Sequence, residues 1–82
     1  MKKLLRQLYP KANKKQIYML YGLAKEKNAP ERAEDIDNIL ASIIRHTETH
    51  YDYMLEKGMK RQSARALVAP KVNKMIKYLK GF

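Results

Sequence analysis

Apolar residues in this 82-residue chain recur at three- and four-residue spacings almost from end to end. That is the period of a helix with one face turned to a core. No strand-like alternation of β-branched residues persists, and only three Gly and three Pro interrupt the pattern. Residues 2–8 predict a short helix ended by Pro10, since the residue before a proline avoids the helical region. Asn13 is placed to cap a second helix, with Gln16 at the capping-box position. Ile17, Leu20, Tyr21 and Ala24 line its apolar face, and it should end near Asn28.

Pro30 suits a first helical turn, and Glu31, Glu34 and Asp35 complement the helix dipole. The stripe Ile36, Ile39, Leu40, Ile43, Thr47, Tyr51, Met54 and Leu55 then predicts one long helix over 31–57. At 1.5 Å per residue it would run roughly 40 Å, with Gly58 as its stop. A last helix should start near Arg61 and bury Ala64, Leu67, Val68, Val72, Met75, Ile76 and Leu79. Pro70 falls inside it and should kink or divide it. The expected fold is an all-α single domain over 1–82. It is a three- to four-helix bundle with a long central helix and an antiparallel, Pro-kinked C-terminal helix.

Size limits what such a domain can do. A chain this short buries only about 60% of its unfolded surface, which leaves little room for a deep substrate pocket. Cysteine is absent, so thiolate zinc sites, disulfides and cysteine nucleophiles are excluded. No apolar run approaches the roughly 20 residues needed to span a bilayer, and the basic start MKKLLRQLYP is too short in apolar residues for a secretory signal. A soluble, cytoplasmic, non-enzymatic protein without cofactor, metal or small-molecule substrate is expected.

Charge changes the picture most. The formal net charge is +10. Residues 1–28 hold eight basic groups and one acid, residues 29–57 three basic groups and seven acids, and residues 58–82 seven basic groups and no acid. The acidic middle can neutralise part of its basic neighbours but leaves the +10 excess. Lys11, Lys14, Lys15 and Tyr18 share one side of the second helix. Lys71, Lys74 and Tyr78 share one side of the last, with Lys77 beside them. Lysines can neutralise phosphates, and a tyrosine can bond phosphate or stack on an unpaired base. The same residues also suit a merely solvated helix face, since lysine is a good helix former, or an acidic protein or membrane surface. Nucleic acid, DNA or RNA, is the expected partner, bound mainly through its backbone. The competing reading is a protein-interaction module, in which an uncovered part of the long stripe pairs two copies as a homodimer.

The stretch RHTETHYD, residues 45–52, is the densest polar cluster. His46 and His50 stand at a metal-binding helical spacing, but Thr47 occupies the place where zinc proteases carry glutamate, and no third ligand follows. Acid–base work by His46 with Asp52 or Glu48 lacks a water-excluding pocket. A clamp between helices fits better. Asp52 lies six positions before Gly58 and Arg65 seven after it, so Asp52 should meet Arg65, or Arg61 instead, across a hairpin.

Arg45, His46, Thr49, Tyr51 and Asp52, followed by Leu55, Gly58, Arg61, Ala64, Arg65 and Val68, form a pattern that resembles an uncharacterised family of small helical domains. The likeness covers about residues 36–79 and implies a helical hairpin as the unit. It implies no activity. Such domains often close on a Trp where this chain has Tyr78-Leu79, and the amino-terminal third lies outside the likeness.

Overall fold

The computed structural model describes residues 1–81 and is all-helical. Five helices follow in order: α1 (Lys2–Leu8), α2 (Lys14–Glu26), α3 (Ala33–Glu48), α4 (Tyr51–Glu56) and α5 (Arg61–Leu79). No helix among the described residues is long and apolar enough to cross a membrane.

Local chemistry explains most of the boundaries. Asn13 and Gln16 form the expected reciprocal capping box at the start of α2. At its end Asn28 adopts a left-handed conformation, φ 52°. The N–H of Asn28 donates to Lys25 O at 3.1 Å and that of Ala29 to Ala24 O at 2.9 Å, the paired bonds of a Schellman close. Gly58, φ 94°, closes α4 the same way, with its N–H on Leu55 O and that of Met59 on Met54 O, both at 3.0 Å. Pro30 lies before α3 rather than in its first turn, because Arg32 N–H turns back onto Pro30 O at 2.8 Å.

The long central helix is broken, which makes five helices where three or four were expected. α3 ends at Glu48, and Thr49 is extended, φ −131° and ψ 171°. The Thr49 hydroxyl donates to Arg45 O and accepts the Tyr51 N–H at 3.2 Å. These side-chain bonds satisfy backbone groups that the helical ladder would otherwise need. α5, by contrast, runs on through Pro70 undivided. Pro70 and Ala66 are both exposed, so water can serve the carbonyl that the missing N–H releases.

One core draws on every helix. It contains Leu5 and Tyr9, Ile17, Leu20 and Ala24, Ile36, Ile39, Leu40 and Ile44, Tyr51, and Ala64, Val68, Val72 and Leu79. α3 packs on both α2 and α5, α1 on α2, and α4 on α5 across the Gly58 turn. Two expected core positions are outside it: Thr47 is exposed and bonds Ile43 O at 2.8 Å, and Leu67 is 61% exposed. The first half of α5 buries only Ala64 and Val68, so it presents a thin seam rather than a full face.

A polar joint sits at the edge of this core. Tyr9, 1% exposed, donates its hydroxyl to Asp37 Oδ1. Lys80 Nζ donates to the other carboxylate oxygen at 2.6 Å. Burial first, then the hydrogen bond to Asp37 and that carboxylate's charge, pushes the Tyr9 phenol far above its ordinary value. A raised folded pKa gives stability that is complete below the unfolded value of about 10 and is lost as pH rises above it. In an alkaline titration followed by phenolate absorbance, Tyr9 should titrate last, together with loss of helical signal. Tyr9→Phe should remove that late component. A Tyr9 that titrates with the exposed tyrosines in the folded protein would refute the buried joint.

Candidate nucleic-acid interface

The start of α2 and the end of α5 lie far apart in sequence and side by side in the fold. Lys11 N–H donates to Leu79 O at 3.1 Å, and the Tyr9–Asp37–Lys80 joint holds the same corner. Between them is a cleft of about 470 Å³ lined by Lys11, Asn13, Gln16, Lys74, Met75, Tyr78 and Leu79. Lys11 and Lys74 are exposed, Tyr78 is 62% exposed, and Leu79 is buried. The cleft therefore has an apolar floor and a cationic, aromatic rim.

Of the expected phosphate-binding residues, this cleft gathers Lys11, Lys74 and Tyr78. Lys71 stands one turn before Lys74 on α5, and Lys14 opens α2 beside the Asn13 cap. The other three are elsewhere. Lys15 lines a separate groove between α2 and α3, together with Glu48. Lys77 lies on another flank with Asp37, Asn38 and Lys80. The Tyr18 ring is covered by the Lys2 ammonium at 4.5 Å, a cation–π contact contributed by α1. Asn13 and Gln16 were legible as a helix cap but not as cleft residues.

The basic excess is little neutralised within the chain. Among the described residues, the only lysine or arginine of the two terminal segments that meets a carboxylate is Lys80 on Asp37. The other ion pairs join the Met1 amino group to Glu31 and Arg32 to Asp35.

The RHTETHYD cluster organises the break between α3 and α4. His46 Nδ1 lies 2.6 Å from Asp52 Oδ1. On an uninterrupted helix residues six apart would point roughly 120° away from each other; the break at Thr49 brings them together. Tyr51, 2% exposed, packs edge-on to the His46 ring at 5.3 Å and beneath the Arg45 guanidinium at 5.4 Å. The expected Asp52 pair with Arg65 or Arg61 does not form, because His46 takes the carboxylate; both arginines are exposed. The clamp thus joins α3 to α4 rather than α4 to α5. His46 and His50 do not share one continuous helix, since α3 ends between them. Among the described residues no group of three His, Asp or Glu is arranged to hold a metal ion.

Thr49 is the hinge of this arrangement. Thr49→Val keeps the β-branched shape that favours extended backbone but strands the Arg45 carbonyl and the Tyr51 N–H. It should cost about 1–3 kcal/mol in urea unfolding, while Thr49→Ser, which keeps the hydroxyl, should cost clearly less. Equal losses for the two variants would show that the hydroxyl is not what holds the break.

No curated protein and no solved structure matches the chain significantly. A family described as an uncharacterized conserved protein (DUF2293) matches residues 4–79. The match takes in α1 and α2 as well as the hairpin-like half, so the amino-terminal third is not particular to this protein. The chain belongs to this family of uncharacterised conserved proteins.

Proposed function

We propose that this protein is a non-catalytic nucleic-acid-binding domain that engages the phosphate backbone through the corner shared by α2 and α5. One observation carries this reading: Lys11 and Lys74, from the two basic ends of the chain, line one cleft beside Tyr78. Each terminal segment has a net charge of +7, and holding two such segments together costs electrostatic energy that a polyanion would offset. Backbone phosphates meet lysine ammonium groups as point charges, which gives affinity and a strong salt dependence with little base selection.

A second reading is a protein-interaction or homo-oligomerisation module. The stripe of α3 does not support it, since Ile36, Ile39 and Leu40 are buried within the chain. It draws instead on Tyr53, 58% exposed, and Leu67, 61% exposed, on α4 and α5. A homodimer that buries these two side chains would revert to monomer on Tyr53→Ser with Leu67→Ser in equilibrium sedimentation. A monomer before substitution would rule the homodimer out.

For the leading reading, duplex DNA titrated at several salt concentrations should bind with log affinity falling linearly in log salt. Lys11→Ala with Lys74→Ala should lower the slope by about 0.9 per lost phosphate contact. Lys25→Ala with Lys27→Ala, at the far end of α2, should change it less. Absence of binding at low salt, or equal effects from the two pairs, would sink the proposal.

A further inference from the structure

We infer that the α2–α5 cleft takes an unpaired nucleotide, with its base against the Tyr78 ring and its phosphates on Lys11 and Lys74, so that the domain prefers single strands to duplex. This rests on the nucleic-acid reading above and narrows it to a substrate class.

The three most exposed tyrosines are not equivalent. Lys2 Nζ lies over Tyr18 at 4.5 Å, and Lys57 Nζ lies over Tyr53 at 5.4 Å. Among the described residues no cation or aromatic ring covers Tyr78, which is also the most exposed of them at 62%. A base that stacks on Tyr78 therefore displaces no cation or ring of the described residues.

The hydrogen-bonding character of the cleft is fixed by the helix cap. Asn13 N–H donates to Gln16 Oε1 at 2.9 Å, and Gln16 N–H donates to Asn13 Oδ1 at 2.8 Å. A backbone N–H cannot donate to an amide NH₂, so both side-chain orientations are determined. Each amide oxygen is engaged, and each NH₂ group remains to donate. With the two lysine ammonium groups, the polar side chains of the cleft are donor-rich, and among the described residues no carboxylate lines it. A donor-rich cleft fits a ligand rich in acceptors: phosphate oxygens and the carbonyl and ring-nitrogen edges of a base. Met75 and Leu79 give the base an apolar floor. The volume, about 470 Å³, lies within the roughly 300–1,000 Å³ typical of small-ligand sites. In duplex the bases are stacked and their Watson–Crick edges are paired, so they offer Tyr78 no free face and the cleft only their groove edges.

The test uses the full chain with labelled oligo-dT, oligo-U and a mixed-sequence DNA duplex of equal length at one fixed salt. Both single strands should bind more tightly than the duplex, and a difference between them would show whether the 2′-hydroxyl is read. Tyr78→Leu, a change at an exposed position that keeps the helix, should weaken single-strand binding about tenfold and leave duplex binding nearly unchanged. Tyr78→Phe should retain the preference. Gln16→Glu keeps an oxygen for the reciprocal cap but replaces the donor with a negative charge; it should weaken binding of both ligands, and of the single strands more. Equal affinity for the single strands and duplex, or equal loss on both with Tyr78→Leu, would overturn this inference while leaving the backbone-binding reading intact. Binding to none of the three ligands would overturn both.

Discussion

A buried phenol and an ammonium group share one carboxylate, and the arrangement of this protein's ends depends on that sharing. Tyr9 at the end of α1, Asp37 on α3 and Lys80 just past α5 meet there. Two chain segments of net charge +7 would otherwise repel each other. Asp37 offers a single negative charge, partly shielded from water, at the corner where they meet. The adjacent bond from Lys11 N–H to Leu79 O then sets the spacing of the cleft walls. Loss of the Asp37 carboxylate would leave the phenol without its acceptor and Lys80 without its counter-charge at the same point.

The other polar cluster performs a separate task. Arg45, His46, Thr49, Tyr51 and Asp52 bend the chain between α3 and α4. Tyr51 fills the inside of the bend, and the polar groups around it satisfy one another. Such a cluster resembles a catalytic constellation in composition, and its ring and carboxylate are turned to each other. The α3–α4 bend and the α2–α5 cleft lie on different elements, which lets a substitution at one be read without disturbing the other.

What the sequence made legible was what is encoded locally. The Asn13–Gln16 cap, the Gly58 stop and the buried faces of α2 and α3 all follow from residues within one or two turns. The break at Thr49 was hidden because the apolar period continues through it, with Tyr51 and Met54 still inward. A hydroxyl bonded to its own backbone leaves no mark on hydrophobic spacing. The part played by Asp37 leaves no local mark because its partners are 28 and 43 residues away. The cation over Tyr18 is not legible in its own helix for the same reason: the lysine that covers it belongs to another helix. Charge along the chain marks both basic segments, but only the fold distinguishes Lys74, in the cleft, from Lys77, on another flank.

The long sequence separations closed by the Tyr9–Asp37–Lys80 joint have an entropic consequence. Loop-closure cost grows only with the logarithm of loop length, about 0.6 kcal/mol for each doubling. Extra residues in the connection between α2 and α3, where the chain is already irregular over 27–32, would therefore weaken the joint only slightly. The corner that carries the cleft is insulated from length changes in the chain that links its walls. It can persist through insertions and deletions that would shift the register of a more locally built site.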